Sequence, residues 1–206
     1  MRSIVLAGAV VASLVCATGA AVAQKPGGVL KMYHRDNPPS LSIHEEATNS
    51  TVIPIMPVMN NLMIFDQHKP QNAPDGIVPD LARSWTWSAD GKDLILKLQE
   101  GVTWHDGKPF TAKDVVCTFD MLMNKGDNKL RKNPRASWYG NVDHVTADSD
   151  LQATVHLKRP QPSILTLLAS GYSPIYACHV SAAQMRTHPI GTGPFKSVEF
   201  KQKEGI

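Results

Sequence analysis

Two alternating apolar stretches joined by an Asp-Gly turn constrain the fold more than any other part of this sequence. Residues 84–88 read Ser-Trp-Thr-Trp-Ser, residues 94–98 read Leu-Ile-Leu-Lys-Leu, and the connection contains Ala-Asp-Gly-Lys. Alternation is typical of strands with one buried face, and Asp-Gly between two such stretches is a strong signal for a β-hairpin. We therefore predict a hairpin in which Leu94, Leu96 and Leu98 share one face.

Short helices and strands are predicted along the rest of the chain. Residues 111–114, Thr-Ala-Lys-Asp, have the form of a capping box with Asp in place of the usual Glu or Gln, and they predict a helix to about Asn124. Proline is tolerated in the first turn of a helix, so the apolar stretch after Glu45 predicts a helix that begins near Pro57. With 15 Pro, 14 Gly and no internal repeat, the fold class is α/β or mixed α+β. The other predicted elements are strands at 28–33, 151–157 and 195–200 and helices at 162–168 and 181–187.

The charge balance and the motifs argue against several functions. Lys plus Arg number 21 and Asp plus Glu number 18, and the net charge of +3 gives no electrostatic case for a nucleic-acid partner. The sequence has no HExxH, CxxC or GxSxG motif, and Gly191-Thr192-Gly193 lacks the lysine that completes a phosphate loop. We therefore expect no catalytic residue, no metal and no cofactor.

The N-terminus has the features of a secretory signal peptide. Arg2 supplies a positive charge, residues 4–15 are apolar, and residues 21–23, Ala-Val-Ala, place small side chains where a signal peptidase reads them. One alternative is a membrane anchor, for which the apolar run is short. Another is a lipoprotein modified at Cys16, but the residue before it is bulky. We predict cleavage after residue 23 and export of a soluble mature chain.

Export changes how the other two cysteines are interpreted. Cys117 and Cys178 are an even pair in an oxidising compartment, where disulfides persist. A bridge between them would close a loop of about 60 residues and would stabilise the fold by about 3–4 kcal/mol on the chain-entropy estimate. The alternative is two separately buried thiols, which behave as small hydrophobic groups.

Two segments of the mature chain resemble the motifs of one family. Residues 79–121, PDLARSWTWSADGKDLILKLQEGVTWHDGKPFTAKDVVCTFDM, and residues 188–195, HPIGTGPF, are similar to signature segments of the extracellular solute-binding proteins of family 5. Members of that family are periplasmic receptors of peptide- and nickel-type ABC importers. The resemblance covers essentially all of residues 25–206, and both motifs indicate the scaffold rather than ligand contacts.

The resemblance implies a two-lobed receptor with the periplasmic-binding-protein type II fold, which closes on its ligand by hinge motion. It divides the chain into the signal peptide at 1–23, the first part of lobe 1 at 24–65, an inserted smaller subdomain at 66–160 and the return to lobe 1 at 161–206. Family members are well over twice as long, so we expect the N-terminal portion of the fold, truncated before the second lobe. We also expect this chain alone to bind solute weakly or not at all, because half of the cleft would be absent.

The resemblance also suggests which residues face the ligand. The family lines its ligand site with the loop after the first strand, which here is residues 33–46. Trp138 and Tyr172, the latter in a Gly-Tyr-Ser turn, are secondary candidates. The implied ligand is a peptide or a similar small molecule, the implied partner is a membrane permease, and we expect a periplasmic monomer. The candidates in the loop are His34, Arg35, Ser42, His44 and Glu45.

Two other functions stay open from the sequence. The corner formed by His44, Glu45 and Glu46 could serve a secreted metal-binding or hydrolytic enzyme, and stoichiometric, tightly held zinc would favour that interpretation. The chain could also be a half-receptor that docks on a permease without binding solute. A permease-binding assay with a full-length receptor as the control tests that interpretation.

Overall fold

The described part of the chain comprises residues 28, 29, 31–34 and 36–201 of a computed structural model. Its helices and strands all lie in the unit His34–Ile206, to which the description below is confined unless stated otherwise. The predicted signal peptide, Cys16 and Arg35 lie outside the described residues. Within the described ranges, no helix has the length and apolar character needed to cross a membrane.

Helices and strands are short and intermixed, as the predicted mixed α/β class requires. A larger antiparallel sheet has four strands in the order β3-β4-β6-β5, and a smaller one pairs β1 with β2. In chain order the elements are α1 (Asn49–Ile55), β1 (Met63–Phe65), β2 (Ile77–Pro79), β3 (Ala82–Trp87), β4 (Asp93–Leu98), α2 (Ala112–Leu122), β5 (Val142–Ser149), β6 (Gln152–Leu157), α3 (Ile164–Leu168) and α4 (Ala182–Met185), with 3-10 turns at Met56–Val58, Pro74–Gly76 and Ala136–Tyr139.

The predicted hairpin is confirmed as β3 and β4. Trp85 lies opposite Leu96 and Trp87 opposite Leu94 in an antiparallel ladder. Gly91 in the connecting turn has a φ of 69°, a conformation that glycine adopts without steric cost. The three alternate leucines of β4 are fully buried, so they share one face as the alternation indicates.

The centre of the larger sheet is β6, which pairs with β4 on one side and β5 on the other. The predicted strand at 151–157 is confirmed as β6. Its partner β5 was not predicted, because only Val142 and Val145 of its eight residues are buried and the apolar alternation is weak. Helix α2 packs on β5 and β6 and covers the sheet.

Helix α2 begins with the predicted capping box. The Thr111 backbone N–H donates to Asp114 Oδ2 at 2.9 Å, and the Thr111 side chain accepts from the helix in return. The buried Asp114 carboxylate also accepts from Trp104 Nε1 at 3.3 Å and from the Cys178 backbone N–H at 2.8 Å. The same residue that caps the helix therefore holds two loops against it. The helix ends at Leu122, slightly before the predicted position.

Cys117 on α2 and Cys178, which lies between α3 and α4, form a disulfide in this structure. Their Cα atoms are 5.4 Å apart, a separation that disulfides ordinarily have. The bridge joins positions 61 residues apart and fastens α2 to the segment before α4.

The helix predicted to begin near Pro57 is wrong. Helix α1 lies before that residue and contains Pro54, whereas Pro57 lies in a 3-10 turn. Pro54 lacks the N–H group that would reach the Ser50 carbonyl one turn earlier. His34 Nε2 donates to that oxygen instead, at 3.0 Å. A partner outside the helix thus allows a proline inside it, which the local pattern could not indicate.

Two predicted strands are also wrong. Neither residues 28, 29 and 31–33 nor residues 195–200 form a strand in the described chain. The apolar side chains that suggested the strands are exposed, with Val29 at 86% and Phe195 at 62%. Alternation predicts a strand only where a second strand satisfies its backbone groups, and the sequence of one segment does not show whether such a partner exists.

The WHDGKPF and HPIGTGPF motifs contact each other. The His105 backbone N–H donates to Gly191 O at 3.0 Å, and the Gly191 N–H donates to His105 Nδ1 at 3.3 Å. His105 Nε2 donates to Gly193 O at 2.8 Å. A Cβ atom on Gly191 would lie 1.7 Å from Val58 O, so only glycine fits there. Both motifs therefore shape the scaffold.

Candidate ligand-binding site

Residues 40–46, the second half of the predicted ligand loop, form a buried segment that contains neither helix nor strand. Every residue of this 40–46 segment is buried, including the polar Ser42, His44 and Glu45. A buried polar group destabilises the fold unless it has a hydrogen-bond partner. The partners of these side chains therefore determine how the segment is held.

Glu45 is held by two arginines. Its carboxylate accepts from Arg186 Nε at 2.7 Å and Nη2 at 3.1 Å, and from the Arg131 backbone N–H at 2.6 Å. Burial raises the pKa of Glu45, but the hydrogen bonds and charges of Arg186 and Arg131 outweigh that effect and lower the pKa below its usual value. Glu45 is therefore an ionised anchor of the segment.

Glu46 links the segment to the basic loop at 125–135. Its Oε1 accepts from Ser40 Oγ at 2.8 Å and lies 3.4 Å from Arg131 Nη2, and its Oε2 accepts from Lys132 Nζ at 3.0 Å. Both basic side chains are about half exposed, with side-chain exposures of 54% and 53%. The segment is thus closed on its outer side by charges that still contact solvent.

His44 packs in the interior against Tyr176. Its Nε2 donates to Pro174 O at 2.8 Å, and its ring centroid lies 4.4 Å from that of Tyr176. The Tyr176 hydroxyl accepts from the His44 backbone N–H at 3.3 Å and lies 3.4 Å from Ser42 Oγ. Burial, together with the charge of Arg135, lowers the pKa of His44 to about 3 against the opposing effect of the Pro174 bond. Burial raises the pKa of Tyr176 to about 12.

Arg135 is the buried cation of this region, with only 4% of its surface exposed. Its Nη1 donates to Glu46 O at 2.8 Å, and its Nη2 donates to Ile43 O. The guanidinium also lies over the rings of Tyr172, at 4.8 Å, and Trp138, at 5.8 Å. Cation–π contacts of this kind are strongest where solvent is excluded. One side chain therefore joins the 40–46 segment to two aromatic residues.

Those aromatic residues form part of an exposed surface. Trp138 and Tyr172 meet edge to face with their centroids 5.9 Å apart, and the Tyr172 hydroxyl donates to Asn49 Oδ1 at 2.8 Å. Met56 lies against the preceding residue, since its Sδ is 3.1 Å from where a Cβ on Gly171 would be. Trp138 is 44% exposed and Met56 46%. We call Met56, Trp138 and Tyr172 the aromatic face.

The predicted site residues therefore occupy two places. One group lies in the buried 40–46 segment, and the other lies side by side on the aromatic face, with Arg135 between them. His34 donates to the Ser50 carbonyl of α1, and Arg35 is not among the described residues. Direct contact with a ligand stays a prediction for each of them. The buried group is Ser42, His44 and Glu45, and the second group is the exposed Trp138 and the partly buried Tyr172.

Sequence reasoning missed the residues that hold this arrangement together, namely Arg135, Tyr176 and Arg186. Arg135 closes a basic loop and precedes Trp138 by one turn, which gives a weak signal for a cation–π contact. Its two carbonyl partners lie 89 and 92 positions away, so no local pattern could have indicated them.

The metal-binding interpretation of the His44, Glu45 and Glu46 corner receives no support from its geometry. His44 donates a hydrogen bond to a backbone carbonyl, Glu45 accepts from Arg186, and Glu46 accepts from Lys132. Across residues 36–201 and the shorter ranges described before them, no group of three or more His, Cys, Asp or Glu side chains is placed to hold a metal ion.

The chain belongs to the bacterial extracellular solute-binding proteins of family 5, whose middle-region profile matches residues 76–206. The match includes both motifs, the larger sheet, Arg135 and the two rings of the aromatic face. The predicted family is thereby confirmed, and it is a family of transport receptors rather than of enzymes.

Curated relatives support the same assignment. The chain is 31% identical over 165 residues to the peptide transport periplasmic protein SapA of Haemophilus influenzae, covering 60% of this chain and 29% of that one. It is 30% identical over 152 residues to the dipeptide-binding protein of Escherichia coli, covering 63% of this chain and 28% of the relative. The chain thus spans less than a third of the length of either relative.

Solved structures show the same fold. The PBP/SBP MoaA of A. tumefaciens R10 with mannopinic acid superposes on 81% of this chain and 33% of its own, with a TM-score of 0.71 and 24% identity. The dipeptide-binding protein of Pseudoalteromonas sp. SM9913 with Met-Leu covers 81% of this chain and 36% of its own, with a TM-score of 0.68 and 22% identity. The chain therefore has part of the periplasmic-binding-protein fold, as predicted.

Proposed function

We propose that this chain forms part of the periplasmic receptor of an ABC importer and that a peptide-like ligand rests on the aromatic face. The observation that carries the proposal is that Trp138 is 44% exposed while a buried arginine lies over its ring. Exposed aromatic rings that are fixed from behind bury much ligand surface at little cost in side-chain entropy. The named relatives, a peptide transport protein and a dipeptide-binding protein, support a ligand of this class.

The buried residues have a supporting role in this proposal. Ser42, His44 and Glu45 stabilise the 40–46 segment, and Arg135 uses carbonyl groups of that segment to fix its guanidinium behind the two rings. The segment therefore affects ligand binding indirectly, through the position of the aromatic face. A rigid supporting layer of this kind is what precise ligand positioning requires.

Export and a permease partner complete the proposed function. Residues 1–23 would direct the chain to the periplasm and be removed there, and residues 66–160 would form a smaller subdomain inserted in lobe 1. Mass spectrometry of the chain from a periplasmic fraction tests the first point. A mature N-terminus at Gln24 is expected, and retention of Met1 would contradict it.

A titration with the dipeptide Met-Leu tests ligand binding on the aromatic face. The chain has four tryptophans, whose indole N–H signals can be followed in a ¹H–¹⁵N correlation spectrum. We expect weak, fast-exchanging binding that shifts the Trp138 signal, identified with the Trp138→Phe variant. The signal of Trp104 should not move, because this side chain is buried and donates to Asp114.

Two outcomes contradict the proposal. Shifts confined to Trp85 and Trp87, which belong to β3, would place the ligand on the hairpin instead. No shift of any indole signal up to the solubility limit of the dipeptide would exclude peptide binding by this chain. Free leucine serves as the control ligand, because it lacks the peptide bond.

A further inference from the structure

The basic loop at 125–135 borders a cavity that the proposed ligand site does not use. This cavity has a volume of about 520 Å³, within the range of pockets that hold small ligands. It lies between the C-terminal end of α2, the loop, and the start of β5. Its volume and its position in the fold raise the question of what chemistry its walls can recognise.

Two ammonium groups at the edge of the cavity have no carboxylate within ion-pair distance in the described chain. Lys125 Nζ donates to Asp143 O at 2.7 Å, and Lys158 Nζ donates to Gly140 O at 2.9 Å. An ammonium group has three N–H donors, so each keeps further donors for a ligand. The Asp143 carboxylate accepts from His144 at 2.8 Å; that bond, and the charges of both lysines, lower the pKa of Asp143.

Two more cations line the cavity, although they already have partners. Arg131 and Lys132 each contact the buried carboxylate of Glu46, at 3.4 Å and 3.0 Å. These contacts fix one wall of the cavity to the 40–46 segment. The edge therefore carries a positive field that is only partly balanced by acidic side chains.

The rest of the lining includes the polar Asn124, Asn133 and Asp143, together with a group of apolar side chains. Met121 and Leu122 of α2 are buried, as are Tyr139 and Val142 on the opposite side, and Leu130 of the loop is partly buried. Apolar groups that reach a cavity wall gain free energy when a ligand displaces water from them. The cavity thus combines a cationic edge with an apolar wall.

We propose that this cavity binds an amphipathic anion, that is, a short apolar chain or ring that carries a carboxylate or phosphate group. The anionic group would accept hydrogen bonds from Lys125 and Lys158, and the apolar group would lie against Met121, Leu122 and Leu130. Neither half of this ligand suffices alone, because an exposed ion pair is weak in water and the apolar wall is small. Binding should therefore require both parts and weaken with added salt.

Calorimetry or chemical-shift titration with octanoate tests the proposal. Acetate supplies the charge without the chain, and octyl glucoside supplies the chain without the charge. We expect saturable one-to-one binding of octanoate and at least about tenfold weaker binding of either control. Equal binding of octanoate and octyl glucoside would overturn the proposal, since the cationic edge would then have no role.

Variants locate the site. Lys125→Gln combined with Lys158→Gln should weaken octanoate binding about tenfold, whereas Lys113→Gln, at an exposed position of α2, should leave it unchanged. Ala136→Trp keeps every charge and fills the cavity from an exposed position on its wall, so it should abolish binding. Thermal unfolding confirms that each variant folds. Unchanged binding in the filled variant would contradict the proposal.

A vesicle assay distinguishes a free amphiphile from a lipid surface. A cavity of this size accepts one apolar group and not a bilayer, so we expect no sedimentation with phosphatidylglycerol vesicles at a salt concentration where octanoate binds. Sedimentation that requires Lys125 and Lys158, without octanoate binding, would replace the proposed ligand with an anionic membrane surface.

Discussion

The four-stranded sheet and the 40–46 segment are both buried, but different interactions hold them. The strands of the sheet are joined by backbone ladders, and the hairpin partners Trp87 and Leu94 are close in sequence. The segment has no ladder, and apart from the hydrogen bonds of Ser40 its side chains reach partners 85 to 141 positions away. This difference shows that one part of the molecule is encoded locally, while the part next to the proposed ligand site depends on long-range polar contacts.

The two regions should therefore fail in different ways. A substitution in the sheet removes apolar contact and lowers the free energy of unfolding in proportion to the volume lost. A substitution in the segment leaves a buried charge or carbonyl without its partner, which is costly even when little volume changes. The three substitutions below are ordered by the size of the expected effect.

The largest effect is expected for Arg135→Met. The substitution removes the donors to the Ile43 and Glu46 carbonyls and both cation–π contacts, so the free energy of unfolding should fall by about 3–5 kcal/mol. Arg131→Met is the matched control, because its side chain is 54% exposed and its ion pair should contribute about 0–1 kcal/mol. Urea unfolding measures both. Equal losses in the two variants would remove the distinction between buried and exposed cations.

The next effect is a pH dependence that belongs to His44. Because its pKa is lowered from 6.5 to about 3 in the folded chain, the unfolded chain binds a proton that the folded chain does not, and stability falls as the pH drops through this window. The loss should approach about 1.4 kcal/mol per pH unit well below pH 6.5 and total about 2 kcal/mol from pH 6.5 to 4.5. Glu45, whose pKa is lowered, contributes stability that is lost only at lower pH.

Unfolding of the His44→Gln variant isolates this contribution. Glutamine keeps a donor for the Pro174 carbonyl but has no proton to gain, so the variant should show a shallower pH dependence than the native chain. Parallel curves for the two proteins over the same window would contradict the assignment to His44.

The smallest effect tests the locally encoded region. Gly91→Ala places a side chain on a residue with a φ of 69° and should cost about 1–2 kcal/mol, without affecting the 40–46 segment. Lys92→Ala, in the same exposed turn, should change stability by less than about 0.5 kcal/mol. A loss in Gly91→Ala that also shifts the Trp138 indole signal would show that the two regions are coupled.

The sequence predicted those parts of the fold that carry a short-range pattern of their own. The hairpin around Gly91, the capping box at Thr111 and strand β6 all follow from short-range patterns. Helix α1 was missed because His34 compensates for Pro54 from outside the helix. The strand at 195–200 was predicted wrongly because alternation carries no information about a pairing partner.

The candidate site divides along the same line. The family resemblance selected the loop at 33–46 and the rings of Trp138 and Tyr172, and the structure places the 40–46 segment and the two rings on either side of one buried cation. It could not select Arg135, because the role of this residue comes from carbonyl groups far away in the sequence. Burial of Ser42, His44 and Glu45 likewise results from tertiary packing and not from a local pattern.

The central claim is that Arg135 couples the buried 40–46 segment to the aromatic face that receives the ligand. The affinity of Arg135→Lys for Met-Leu tests it most directly, because lysine keeps the charge but cannot donate to two carbonyls and stack on two rings at once. With Arg131→Lys as the control, the account predicts that Arg135→Lys binds the dipeptide about tenfold more weakly than the native chain while the control binds equally well. Equal affinity in all three proteins would contradict it.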